Sequence, residues 1–378
     1  MEGDDKPLET GLEIKEKTTP SFRIIYCYVG AGICVIALGF FIYHISTGNV
    51  RGILSANISE SVRPAPPVIP MPKEVRAIYI TAPTASLKRR MDELIAFAHA
   101  SGMNAAVVNV KDGDGVYLGE QMEKIAARLR SENIYPIARA VTFQDNYLVG
   151  MWPDLALKNA DGTIWQSRGS KWLDPASRDV WDYNVEVAVE ALNEGFAEVN
   201  LDYIRFPSEG NLDAIKYPVY DGKKEKREVI NEYSKYLVSQ VKSVYPNAVI
   251  SADIFAQGLI SGDSQGIGQK FTDLASYYDV IAPMVYPSHY ATGNFGFEKP
   301  AEAPYEVVKG TLNDGSALLT KAGKKVIVRP WLQDFNMGAI YDRRMIQAQI
   351  KGVVDAGLTT GYMMWNPSNR YSLEKYKN

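Results

Sequence analysis

From Lys73 onward, apolar runs of strand length alternate with segments whose apolar positions recur at helical spacing, and the alternation continues to the end of the chain. The strands this pattern predicts are Val75–Ile80, Ala105–Val110, Tyr135–Val141, Glu198–Asp202, Ala248–Asp253, Val280–Val285, Lys325–Pro330 and Gly361–Trp365. The intervening helices are Ser86–Ser101, Glu120–Ser131, Arg178–Glu194, Glu225–Val244, Tyr305–Lys321 and Asp342–Ala356, with a shorter piece at Phe271–Tyr277. Repeated strand–helix order calls for a parallel sheet with right-handed crossovers. Eight units over roughly 300 residues match a closed (β/α)₈ barrel. An open doubly wound sheet would carry a Gly-rich turn after its first strand, and Thr81-Ala82-Pro83-Thr84 is not one.

The pattern before Lys73 is different. Residues 22–45 are almost wholly apolar, with no charge between Arg23 and His44. A bilayer core of about 30 Å needs roughly 20 such residues in a helix. A cleaved signal peptide is the rival, but its apolar stretch is usually about 7–15 residues. Lys15, Lys17 and Arg23 precede the segment, whereas Arg51 and Arg63 follow it, which favours an inside N-terminus. The expected organisation is therefore a cytoplasmic tail over 1–21, a single-pass membrane anchor over 22–45 in contact with the lipid bilayer, a linker over 46–72, and a barrel over 73–378 outside the cell. The linker ends in a proline-dense stretch, Pro64 to Pro72, suited to a semi-rigid stalk.

Composition removes several classes. A formal charge of −3 argues against a nucleic-acid partner. Both cysteines, Cys27 and Cys34, fall in the apolar N-terminal segment, so the barrel has neither disulfides nor cysteine metal sites. His44, His99 and His289 are too scattered for a zinc cluster.

In a barrel of this kind, chemistry sits at the C-terminal ends of the strands. Tyr79 and Thr81 end the first, Asp112 and Asp114 follow the second, and Arg139 lies on the third. The fourth supplies Asp202 and, three residues on, Arg205; the fifth supplies Asp253. Tyr286 and His289 follow the sixth, Trp331 the seventh and Trp365 the eighth. Carboxylates, aromatic rings and amides together suit a sugar: acids to break an acetal, rings to stack on its apolar face, amides for its hydroxyls. Asp202 and Asp253 fall at equivalent levels on adjacent strands about 4.8 Å apart. That placement suits the pair of carboxyl groups that glycoside hydrolysis requires, with Asp202 as nucleophile and Asp253 as general acid/base. Asp112 and Asp114 are alternative sources of the acid, or merely shape a Gly-rich turn. Tyr79, Asp112, Arg139, Arg205, Tyr286, His289, Trp331 and Trp365 are expected to contact substrate, with a structural ion pair as the other reading of Arg205. The long segment from Gln144 to Pro175, with Trp152, Trp165 and Trp172, is expected to shape the cleft. Gly262-Asp263-Ser264-Gln265-Gly266 has the G-x-S-x-G spacing of a hydrolase elbow but lacks the strand and helix around it.

Five segments follow one another through the barrel: Asn109-Val110-Lys111-Asp112, Trp172-Leu173-Asp174-Pro175, Leu201-Asp202-Tyr203-Ile204-Arg205-Phe206-Pro207, Ser251-Ala252-Asp253-Ile254-Phe255 and Ala282-Pro283-Met284-Val285-Tyr286-Pro287. Through them the chain from about Val75 to Trp365 resembles a family of largely uncharacterised bacterial glycoside hydrolase-like barrels, distantly similar to the α-amylases. The resemblance implies a barrel at the surface or exported, acting on glycans. In the α-amylase-like pattern the strand-four Asp is the nucleophile and the strand-five carboxylate the acid, which correspond to Asp202 and Asp253. The arginine of that pattern, two residues before the nucleophile, is replaced here by Asn200, and the strand-five acid is Asp rather than the commoner Glu. The leading reading is a surface-anchored glycosidase acting on a cell-wall or extracellular polysaccharide, with no bound metal or organic cofactor required. A barrel that binds glycan without cleaving it is the alternative, and a metal-dependent deacetylase a third class.

Overall fold

The computed structural model describes residues 69–358 and 360–377. The expected anchor and most of the linker lie outside the described residues. Among the described residues no helix is long and apolar enough to cross a membrane.

Eight parallel strands close into a barrel. They are β1 (Val75–Ile80), β2 (Ala105–Asp112), β3 (Tyr135–Val141), β4 (Glu198–Asp202), β5 (Val249–Phe255), β6 (Val280–Val285), β7 (Trp331–Gln333, preceded by the short Ile327–Val328) and β8 (Gly361–Trp365). Each pairs with its sequence neighbour, and β1 also pairs with β8, which closes the ring. Each of the seven crossovers carries a helix, beside other short ones: α1 (Lys88–Ser101), α2 (Glu120–Ser131), α3 (Arg178–Asn193), α4 (Lys226–Val244), α5 (Phe271–Leu274), α6 (Pro304–Ala322) and α7 (Arg343–Asp355).

Side chains alternate along each strand between two apolar clusters. Val75, Ala77 and Tyr79 of β1 join Val107, Ile137, Trp331 and Met363 inside the barrel, whereas Ile78 and Ile80 pack outward beneath the helices. The interior is not wholly apolar. Glu198 of β4 and Arg329, ahead of β7, are both fully buried and form an ion pair low in the barrel. Ser251 Oγ donates to Glu198 at 2.6 Å, so polar contacts climb from that pair toward the strand ends.

Three strands differ from the sequence expectation, and each difference moves a site residue. Strand seven does not stop at Pro330: the proline has no N–H to give a ladder, so pairing breaks there and resumes over Trp331–Gln333. Trp331 therefore lies within a strand rather than beyond its end, and it is buried. Strand five runs on to Phe255, which sets Asp253 inside the strand, only 1% exposed. In β2 a register shift between Asn109 and Lys111 breaks the alternation. Asn109 stays with the interior, while Lys111 pairs with the buried Asp145 at 2.8 Å.

The segment from Gln144 to Pro175 folds into a short helix (Asn146–Met151), a 3₁₀ turn (Pro153–Leu155) and a small hairpin (Gln166–Ser167 with Ser170–Lys171). Trp165 and Trp172 are its buried core. Asp174 fastens it to the loop after β4, accepting N–H bonds from Ala176, Val219 and Tyr220 at 2.7–2.9 Å. The Gly262–Gly266 stretch follows a short helix, Gln257–Ser261, rather than a strand, so it lacks the geometry of a nucleophile elbow.

Candidate active site

At the C-terminal end of the barrel a cavity of about 410 Å³ opens between β3 to β8. Its walls include eight of the ten residues expected at the site: Arg139, Asp202, Arg205, Asp253, Tyr286, His289, Trp331 and Trp365. Tyr79 and Asp112 are not among them.

The centre is built around Arg139. Its Nη2 donates to Asp202 Oδ2, its Nη1 donates to Asn109 Oδ1 at 2.8 Å, and its Nε stands 3.8 Å from Asp253 Oδ2. One guanidinium thus faces both carboxylates. The pairing of β4 with β5 runs from Glu198 opposite Val249 to Leu201 opposite Ala252, and one more step sets Asp202 beside Asp253. Arg139 also lies over the rings of Tyr79 and Trp365, 5.7 and 5.2 Å from their centroids. Burial alone would make this arginine easier to deprotonate; Asp202, Tyr79 and Asp253 reverse that and hold it firmly cationic.

The two carboxylates have different surroundings. Asp202 accepts from Arg139 and, through Oδ1, from the N–H of Tyr203 at 2.6 Å. Tyr203 adopts φ 56°, a left-handed conformation that costs a non-glycine residue about 1–3 kcal/mol. Trp172 meets its ring edge-on at 5.8 Å, and the turn aims the amide back at Asp202. Asp253 accepts through a single oxygen, Oδ1, from Asn200 Nδ2 at 2.8 Å and Trp331 Nε1 at 2.7 Å. Burial first, and the charge of Asp202 second, push its pKa up to about 8, against the opposing pull of Arg139 and the two N–H donors. Asp202 thus accepts from a guanidinium and an amide N–H, while the raised pKa of Asp253 lets it keep its proton at neutral pH. That division is the one needed to supply a nucleophile or base and an acid within one site.

Arg205 forms part of the wall with its charge already answered. Glu209 lies 3.3 Å from Nη2, the Phe206 carbonyl and Ser208 Oγ accept from Nη1, and the rings of Trp172, Tyr203 and Phe255 surround the guanidinium at 4.8–5.0 Å. Trp365 is half-buried and presents a ring to the cavity, and Tyr79 stacks against it at 4.0 Å. Tyr79 therefore supports Trp365 rather than facing the cavity. His289 is exposed at the rim beside Tyr286 and Phe335, with desolvation lowering its pKa. Asp112 accepts both from the Tyr117 hydroxyl, at 2.9 and 3.0 Å, and from the Asp114 N–H, which ties it to its own hairpin turn. Trp152, Trp165 and Trp172 do not line the cavity; Trp172 backs Arg205 and Tyr203 from behind.

Asn200, Ser251 and Asn109 were not singled out from the sequence as site residues. The first two lie two positions before Asp202 and Asp253, and strand alternation alone puts them on the same inward face. Among the described residues no group of three or more His, Cys, Asp or Glu is placed to hold a metal ion.

Residues 77–371 match a protein family described as "putative glycosyl hydrolase domain". No curated protein matches the chain. Among solved structures, a hypothetical protein from Ruminiclostridium thermocellum is 31% identical over 50% of this chain and 98% of its own, with a TM-score of 0.42. Alpha-L-fucosidase isoenzyme 2 from Paenibacillus thiaminolyticus is 10% identical, over 80% of this chain and 48% of its own, with a TM-score of 0.54. An alpha-galactosidase from Geobacillus stearothermophilus, solved with stachyose, is 12% identical, over 83% and 42%, with a TM-score of 0.51. The chain spans about half or less of the length of these last two, and at such identities they speak for the barrel fold alone.

Proposed function

Because the chain belongs to the family described as "putative glycosyl hydrolase domain", and is a glycoside hydrolase on that ground, we propose that it cleaves a cell-wall or extracellular polysaccharide using Asp202 and Asp253. The observation that carries this reading is the pair of unlike carboxyls on the Arg139 guanidinium, at the wall of the cavity. Ionised Asp202 attacks the anomeric carbon while Asp253 gives its proton to the departing glycosidic oxygen, which leaves a glycosyl ester on Asp202. Asp253, now a carboxylate, takes a proton from water as that water opens the ester. Carboxyls on adjacent strands, about 4.8 Å apart, suit the roughly 5–5.5 Å separation of such a two-step route.

Charge bookkeeping in the cavity favours neutral sugar rings. Arg139 is paired with Asp202, Arg205 with Glu209, and Asp253 holds a proton, so among the described residues lining the cavity no lone Arg or Lys is left to attract a uronate. Reducing ends released by the full chain from neutral and acidic bacterial polysaccharides test the reading. Release from at least one neutral polymer, at ten times or more the rate from any acidic one, is expected. Binding without product across the panel would support the carbohydrate-binding alternative instead.

We place the barrel outside the cell, held by a single-pass anchor over residues 22–45, on the strength of the uncharged run between Arg23 and His44. Protease added to intact cells should remove the barrel while the tail over 1–21 stays protected. A barrel protected until the cells are lysed would overturn this placement.

A further inference from the structure

We infer that Asn200 and Trp331 are positioning residues that confine the exchangeable proton of Asp253 to its Oδ2 oxygen. A carboxylate oxygen has two lone pairs. Both of those on Oδ1 are engaged, by Asn200 Nδ2–H at 2.8 Å and Trp331 Nε1–H at 2.7 Å. Neither donor atom can accept in return, because an indole N–H and an amide NH₂ only donate. A proton on Oδ1 would displace one of these bonds inside a site where Asp253 is 1% exposed. It therefore resides on Oδ2, the oxygen that stands 3.8 Å from Arg139 Nε, beyond hydrogen-bonding reach.

What fixes the donors reaches well below the cavity. An amide side chain can be turned over, exchanging its oxygen and nitrogen. The neighbours of Asn200 decide the matter. Ser251 Oγ commits its hydrogen to Glu198 Oε1 at 2.6 Å, and Glu198 is in turn locked to Arg329. The serine oxygen is left with lone pairs alone, and Asn200 Nδ2 donates to it at 3.1 Å while donating to Asp253. Turned over, the amide oxygen would face two acceptors. Trp331 is fixed differently: it is buried directly after Pro330 and meets the stacked rings of Tyr79 and Trp365 edge-on, with centroids at 6.4 and 5.6 Å. The pair buried low in the barrel thus orients the amide, and the amide and indole together orient the acid.

This inference deepens the hydrolase reading and rests on Asp253 as its acid, but its first test does not need turnover. Both donors stabilise the ionised carboxyl, so removing either one raises the pH at which Asp253 loses its proton. One hydrogen bond to a charged group amounts to about one unit. The titration is followed by carbon NMR on full chain labelled at Asp carboxyls, with Asp253→Asn assigning the resonance. Trp331→Phe and Asn200→Leu are compared with wild type, near-UV circular dichroism checking that each folds. An upward shift of about one unit in either folded variant, with the basic limb of kcat/KM moving alongside it and KM nearly unchanged, is the expected result. An unmoved Asp253 titration in both variants overturns the inference. An upward shift in a protein that releases no sugar upholds the proton placement and counts against the hydrolase reading alone.

Discussion

Replacing Asp202 with Asn is expected to lower kcat by about 10⁴–10⁶-fold, the range seen when a covalent nucleophile or its partner is removed, while glycan still binds. The amide keeps the shape, and with its single oxygen toward the Tyr203 N–H it preserves the turn after β4, while its NH₂ replaces the oxygen that accepted from Arg139. It cannot form the ester. The loss is placed toward the upper end because the variant disturbs the acid as well. Asp253 holds its proton through burial and through the negative charge of Asp202 beside it. Once that charge is gone, Arg139 has Asp253 as its nearest anionic partner at 3.8 Å, and Asp253 is drawn to ionise. One substitution thus removes the nucleophile and weakens the proton donor. The measurement pairs reducing-end release with calorimetric binding of the same oligosaccharide. A folded variant that keeps more than about one hundredth of wild-type turnover would remove Asp202 from the chemistry.

How much of this was readable beforehand varies by residue, for physical reasons. Strand and helix periodicity located the barrel closely: β1, β3, β4, β6, β8 and α2 have the bounds the apolar pattern indicates. Asp202 and Asp253 were recoverable because a strand-end position on neighbouring strands is a local property. The role of Arg139 as the group joining them was not. It depends on β3 lying next to β4 in register, Arg139 opposite Asn200, and no spacing along the chain encodes that contact. It also answers the substitution of Asn at position 200: the guanidinium beside Asp202 comes from the adjacent strand, and Asn200 is free to hold Asp253. Trp331 looked like a stacking platform because Pro330 reads as a strand end. Pairing resumes beyond it, and the indole N–H donates to Asp253. Asp112 was a candidate by its place at a strand end, and the insertion tryptophans by the length of the segment that carries them. Asp112 is taken up by its hairpin, whereas Trp165 and Trp172 form the interior that a folded insertion of this length needs.

The Asp253 assignment has a pH signature of its own. The first step needs the protonated acid, and with its pKa raised to about 8 by burial and by Asp202, kcat/KM should hold through neutrality and fall as pH climbs past that value. An aspartate at its usual pKa of about 3.9 would give no acid at pH 7. Asp253→Asn should lower kcat by about 10²–10⁴-fold and abolish the basic limb, since the amide has no proton to lose. Stability supplies an independent check with the sign fixed by linkage. The folded chain keeps the Asp253 proton between about pH 4 and 8 while the unfolded chain has released it, so this group's contribution is complete below its unfolded pKa and fades as pH rises through the folded one. The Asn variant, unable to titrate there, should melt progressively higher relative to wild type as pH goes from 5 to about 9. A wild-type basic limb that survives intact in Asp253→Asn would put the acid on another residue, with Asp112 and Asp114 at the second strand's end the carboxyls to replace next.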